Sequence, residues 1–209
     1  MLCGTNMTDI KISNRSAILR LLHEAGAMSR KQIAARLKLT PATITVIINE
    51  LMNESILVEG NSVPNAGAVG RREVMVEISR EKYVALGLAL SQGLVKFTVV
   101  NLHGEIIHEE TFKLPEILTP EYFAETIGRQ IQLKIASYGY SENFIIGIGI
   151  TVCGVVDFAN GIILDSDGIW EEKNVPIVKM FRKQFSFPVI AANNVRSYAN
   201  AYAFLQHDS

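Results

Sequence analysis

Cysteine is nearly absent from this chain of 209 residues, with only Cys3 and Cys153 present. Two thiols so placed supply neither a disulfide framework nor a metal-ligand spacing, which points to a reducing compartment. Long apolar runs are missing too. The stretch FIIGIGITV (144–152) is too short and too Gly-rich to cross a bilayer. The opening MLCGTNMTDIKISNRS has no apolar centre of the kind a signal peptide needs. A cytoplasmic protein with no membrane partner is therefore expected. No His stands in a nucleophile or metal motif. Asp157, Asp165 and Asp167 are assigned to a turn and a polar loop, so neither a metal nor a cofactor is expected.

Net charge is also small, at −1, but it is unevenly divided. Residues 1–80 hold 10 Lys/Arg against 7 Asp/Glu, and residues 81–209 hold 10 against 14. A mildly basic head on an acidic body fits a nucleic-acid-binding module joined to another domain, and the length allows two cores.

The head has a clear pattern. Asn14 is placed to cap a helix RSAILRLLHEAG, with Ile18, Leu21 and Leu22 on one face and Gly26 as its stop. Ser29 caps RKQIAARL. After a break at Lys38 and Leu39, Thr40 and Pro41 open a third helix, PATITVIINELMNES, in the favoured order of cap then proline. Ile44, Ile47 or Ile48, and Leu51 mark its buried face. ILVEG (56–60) and REVMVEI (72–78) then alternate as paired strands around NSVPNAGAVGR. Three helices, a short connection between the second and third, and a wing make a winged helix-turn-helix over residues 1–80.

In that arrangement the third helix enters the DNA major groove by its first turns. Its outward positions are Thr40, Ala42, Thr43, Thr45 and Val46. Thr hydroxyls can bond phosphates or base edges, and small methyl-bearing side chains can touch thymine methyls. Arg30 and Lys31, at the start of the second helix, are within reach of the DNA backbone. Arg71 and Arg72, at the wing, can meet phosphate or the minor groove. The candidate DNA contacts are thus Arg30, Lys31, Thr40, Thr43, Thr45, Arg71 and Arg72. So few cations imply modest, salt-sensitive affinity, so a homo-oligomer on a double-stranded operator is expected.

From Tyr83 the pattern changes. YVALGLAL, LVKFTVVNL and EIIHEETFKL form an antiparallel meander. A helix EYFAETIGRQIQLKIASYG leads to FIIGIGITV, which reads as a strand buried on both faces. The loop CGVVDFANG, a short strand GIILDSD, a helix VPIVKMFRKQF, a strand FPVIAAN and a final helix follow. Strands first, then alternation, predict a mixed sheet in an α/β layer fold over residues 81–209.

GIGITVCGVVDFANGIIL, then FPVIAANNVRSYANAYA, resemble the ROK family (repressors, uncharacterised open reading frames and sugar kinases), in its transcription-regulator branch. LTPATITVIINEL is similar to that branch's recognition helix. Val46 stands where many members place a polar or basic residue, so direct base reading from position 46 is not expected. The resemblance implies an α+β winged helix-turn-helix followed by an α/β actin-like (ribonuclease H-like) ATPase-type lobe, with sugar in a cleft between two lobes.

The resemblance also implies where enzyme chemistry would sit, and the sequence departs there. The phosphate-binding turn of the enzymes reads GLALSQGLVKF here, with Ala89 in place of the acid and Ser91 and Gln92 at glycine positions. The Asn-Asp pair that carries the enzymes' catalytic base reads Asn193-Asn194. An amide has no usable basicity near neutral pH, and losing a general base costs about 10²–10⁴ in rate. Asn194 is expected to cap the last helix, and Gly154, Asn193 and Asn194 are the candidate ligand contacts. The family's Cys/His zinc motif belongs to a second lobe, which the chain is expected to lack.

These readings point to a DNA-binding transcriptional regulator, a repressor of sugar-metabolism genes. Its kinase-like domain would sense a sugar or sugar phosphate without catalysis. One competitor is a sugar kinase with divergent motifs, which would bind ATP. Another is a constitutive DNA-binding or interaction protein whose ligand domain is vestigial and indifferent to sugars.

Overall fold

The first helix starts well before Asn14. Helix α1 spans Met7–Ala25 with Asn6 at its N-cap position, and the Asp9 carboxylate accepts from the Asn6 backbone N–H at 3.4 Å. Asn14 lies inside it, where it costs only a fraction of a kcal/mol relative to a good helix former. The early turns are exposed, as at Ile10 and Ile12, whereas Ile18 and Leu22 are buried. Amphipathic periodicity marks only the packed part of the helix, which is why the exposed part went unread. The computed structural model describes residues 6–60, 73–115 and 119–205. These separate into two units, one ending at Lys82 and the other beginning at Tyr83.

In the first unit, β1 (Met28–Ser29) leads directly into α2 (Arg30–Leu37). Ser29 Oγ accepts from the Gln32 N–H at 3.3 Å, and Gln32 Oε1 accepts from the Ser29 N–H at 2.8 Å. This reciprocal pair fixes the start of α2. Lys38 then takes a left-handed conformation, φ 54°, which turns the chain toward α3 (Pro41–Asn53). Thr40 Oγ1 accepts from the Thr43 N–H at 3.2 Å and caps α3. Ile44, Ile47, Ile48 and Leu51 are its buried face.

β2 (Leu57–Glu59) and β3 (Met75–Ile78) pair antiparallel, Leu57 opposite Ile78. β1 adds a third strand on the other side of β3, Met28 opposite Val76. Two residues are too few to show alternation, so no sequence signal marked it. The wing tip, including Arg71 and Arg72, lies outside the described residues.

The second unit is built on a mixed sheet in the order β10-β7-β4-β5-β6. β4 (Val84–Ser91), β5 (Leu94–Asn101) and β6 (Ile106–Lys113) form the antiparallel meander; β7 (Ile145–Val152) and β10 (Val189–Asn193) continue the sheet parallel to β4. Between them run α4 (Pro120–Ser137), capped by Thr119, and the short α5 (Ile177–Phe181). Phe123, Ile127 and Ile131 of α4 and Phe181 of α5 share one core with Leu86, Phe97, Ile148, Ile150 and Val189 of the sheet.

β7 differs from the expectation of burial on both faces. Ile148, Ile150 and Val152 are buried, but Ile146 is 51% exposed, as is its neighbour Ile190 of β10 at 54%. The helices that pack into the described core load one face only. The stretch expected to be a loop after β7 also contains a strand. β8 (Val155–Asp157) pairs antiparallel with β9 (Ile162–Asp165). Asp157 closes the hairpin by accepting from the Asn160 backbone N–H at 3.1 Å and side-chain amide at 2.7 Å.

Candidate functional site

The first candidate surface is the outer side of α2 and α3. Burial of Ile44, Ile47, Ile48 and Leu51 turns Ala42, Thr45, Val46 and Asn49 outward, a stripe set by helical spacing. Thr40 and Thr43 stand at the helix start with their hydroxyls 2.9 Å apart, and Thr45 Oγ1 donates to the Pro41 carbonyl at 2.8 Å. Thr45 therefore offers outward an acceptor oxygen and a methyl, its proton being held within the helix. Lys31 is exposed beside them. An open apolar groove of about 400 Å³ runs between Lys31, Ala34 and Ala35 of α2 and Pro41 and Thr45 of α3.

Arg30 is turned differently from its neighbour. Its guanidinium approaches Asn49 Oδ1 at 3.5 Å and Met52 Sδ at 3.4 Å, with Glu59 Oε1 at 3.9 Å. It ties α2 to α3 and β2. Asn49 went unnoticed in the sequence, although it lies three and seven residues after Val46 and Ala42, at the spacing that shares a helix face.

Ion pairs hold α3 and its C-cap Glu54 against α1. Lys11 Nζ meets Glu50 Oε1 at 2.7 Å, and Arg15 donates to Glu54 Oε1 at 3.0 Å. The Arg15 hydrogen bond holds the Glu54 carboxyl below its ordinary 4.5. A depressed folded-state pKa stabilises above the unfolded value and is lost as pH falls through the folded one. Glu54 remains 44% exposed, so the gain is limited to about 1 kcal/mol. Urea midpoints of the wild type and Glu54→Gln should accordingly differ near neutral pH and converge once Glu54 is protonated. A difference that persists undiminished in acid would assign it to packing instead.

The second candidate site forms at the carboxyl ends of the parallel strands. Leu90 of β4, Val152 of β7 and Asn193 of β10 stand in register. The β4–β5 turn, the Cys153–Gly154 turn and the Asn193–Asn194 pair therefore share one end of the sheet, a usual place for ligands in such folds. Asn193 Nδ2 donates to the Gly154 carbonyl at 2.6 Å, and its Oδ1 accepts from the Val195 N–H at 2.8 Å. Asn194 Nδ2 approaches Cys153 Sγ at 3.1 Å. The three sequence-proposed ligand residues are thus brought together.

α6 (Asn194–Leu205) already includes Asn194, and the Val195 N–H at its start is shared by Asn193 Oδ1 at 2.8 Å and Asn194 Oδ1 at 2.9 Å, so the expected Asn194 contact is present and Asn193 adds to it. At the other side of this end, Gln92 Nε2 donates to the Asp167 carbonyl at 3.4 Å. Gly154 has φ +132°, and a Cβ there would lie 2.1 Å from the Asp165 carbonyl oxygen. Asp157 and Asp165 carry carboxyls held low, by Asn160 and by Lys173 respectively. That direction weakens a carboxylate as a base. Arg196, an exposed residue, lies over the Phe158 ring, 4.3 Å from its centroid.

Residues 86–209 match the ROK family, more than half of the chain. The chain belongs to the ROK family. Residues 13–58 separately match a winged helix-turn-helix DNA-binding family. The chain is 28% identical over 196 residues to the DNA-binding transcriptional dual regulator NagC of Escherichia coli (strain K12), covering 94% of this chain and 47% of that protein. It is 26% identical over 198 residues to the DNA-binding transcriptional repressor Mlc of the same organism, covering 95% and 48%. The xylose repressor of Bacillus spizizenii matches at 25% over 199 residues, covering 95% and 50%.

The fold is likewise that of a ROK family transcriptional regulator described as a homologue of E. coli Mlc. That comparison has a TM-score of 0.74 at 24% identity and covers 92% of this chain and 48% of the other. This ROK chain spans about half the length of the curated relatives it matches. The family's sheet and the winged helix account for its architecture: α+β winged helix-turn-helix, then the actin-like, sugar-kinase type of α/β lobe.

Proposed function

We propose that this chain is a DNA-binding transcriptional regulator, a repressor of sugar-metabolism genes, whose ROK lobe senses ligand and carries out no phosphorylation. The observation that carries the reading is the cap-to-groove face of α3, with Thr40, Thr43 and Thr45 outward and the isoleucines inward. The relatives' names supply the repressor role and the link to sugars. The reading without phosphorylation is supported by Ala89 and Asn194 standing where the resemblance places the enzymes' carboxylates.

In this reading residues 1–80 bind DNA, through Thr40, Thr43, Thr45 and Lys31 with Arg71 and Arg72 at the wing. Arg30 positions α3. Residues 81–209 are the N-terminal lobe of the ROK domain, and Gly154, Asn193 and Asn194 hold part of a sugar or sugar-phosphate contact. The protein acts in the cytoplasm as a homo-oligomer, because one winged helix with so few cations binds an operator weakly. Among the described residues no helix is long and apolar enough to cross a membrane.

Selection from a genomic DNA pool at two salt concentrations tests the reading, with Thr43→Ala/Thr45→Ala as the comparison. Specific fragments should be enriched by the wild type and lost by the double variant, since each base-edge contact removed costs about 1–3 kcal/mol. Equal enrichment by both proteins would defeat the recognition-helix assignment. A rise in melting temperature with ATP would move the second unit toward the kinase reading.

A further inference from the structure

The face that α3 turns outward has an unusual chemistry for a DNA reader. No Lys, Arg, Asp or Glu occurs from Thr40 to Asn49. Val46 is 57% exposed in the middle of that face, with exposed Ala42 and Thr45 on the turn before it. The Thr45 hydroxyl is committed to the Pro41 carbonyl at 2.8 Å, which leaves its methyl as part of the same apolar strip. Of the cations on α2, Arg30 points to Asn49 and Met52 and Lys31 borders the groove beside Pro41 and Thr45, while Glu50 faces Lys11 of α1. The helix therefore carries no bidentate cationic donor of the kind that reads guanine O6 and N7.

Val46 buries less than half of its surface in the free protein, so its methyls remain available for a contact. It becomes useful against the one natural base that shows a methyl group in the major groove. Resting on the DNA-binding reading above, we infer that Val46 is a specificity-determining residue that recognises a thymine 5-methyl group. Ala42 and Thr45 complete a methyl-lined contact. Position 46 thus reads a base by apolar burial and not by hydrogen bonding, since a valine side chain offers neither donor nor acceptor. Cytosine and uracil present hydrogen where thymine presents methyl, so the contact discriminates without a polar partner.

The test uses the full chain and the DNA fragments it selects. Each thymine of one half-site is replaced in turn by deoxyuridine, and binding is compared for the wild type and Val46→Ala by fluorescence anisotropy. At one position the wild type should lose about fourfold in affinity, the value of one buried methyl. Val46→Ala should bind the thymine site more weakly by a similar factor and be indifferent to uracil at that position. Because Val46 is exposed and alanine favours helix, the variant keeps its fold. If Val46→Ala retains the wild type's full sensitivity at every position, or the wild type senses no thymine methyl, the inference is overturned while DNA binding stands. If no fragment is selected at all, the proposed function fails and the inference falls with it.

Discussion

Gly154→Ala should destabilise the second unit by about 3 kcal/mol or more. The backbone there has φ +132°, which an L-residue adopts only under strain of about 1–3 kcal/mol. The added Cβ would stand 2.1 Å from the Asp165 carbonyl oxygen, so β8 or β9 must move in addition. The Gly154 carbonyl would move with it, breaking the 2.6 Å bond from Asn193 and loosening the start of α6. Trp170 is the only tryptophan. It is buried against Phe123, and its backbone N–H and carbonyl both bond to Ser166 on the same loop. Its fluorescence in a urea titration therefore reports the change directly. A shift under about 1 kcal/mol would mean that the strand ends do not approach as closely as described.

Ile48→Ala carries the second large effect, about 2–5 kcal/mol, the ordinary cost of truncating a fully buried isoleucine. It falls on a small unit, and small units bury a lower fraction of their surface and have little stability in reserve. α3 should lose its fixed position, and selective DNA enrichment should vanish with it. Amide hydrogen exchange in α3 is the measurement, with Thr43→Ala/Thr45→Ala as its counterpart. That double variant should lose selectivity while its α3 amides stay protected. Protection retained in Ile48→Ala would show that neighbouring side chains refill the space.

The two substitutions separate what the recognition helix owes to its buried face from what it owes to its exposed one. Inward, four apolar side chains fix where α3 lies. Outward, α3 presents short side chains with few free donors, the face proposed to meet DNA. The Arg15–Glu54 pair adds a smaller electrostatic tether between α1 and the end of α3 that acid removes, and Lys11 and Glu50 meet beside it.

The amino-acid sequence by itself determined the order of the helices and of the longer strands, which rest on local signals, though not β1 or β8. Ser29, Thr40 and Thr119 cap helices by satisfying nearby N–H groups, and the alternation in β4 and β5 follows from the pleat. The ROK resemblance was legible for the same reason, since its turns need particular residues such as Gly154. What needed the tertiary structure was everything that depends on residues distant in the chain. β1 exists only because β3 lies beside it, and α1 reaches back to Met7 although its early turns bury little. Arg30 reads as a DNA-backbone contact, and only the fold shows that its guanidinium meets Asn49 and Met52, 19 and 22 residues further on. Asn193 joins Asn194 on the Val195 N–H at the start of α6 while its amide reaches the Gly154 carbonyl, 39 residues earlier in the chain. Such outcomes are set by which groups meet across strands and helices, and a linear sequence does not state which of several partners a polar side chain will reach.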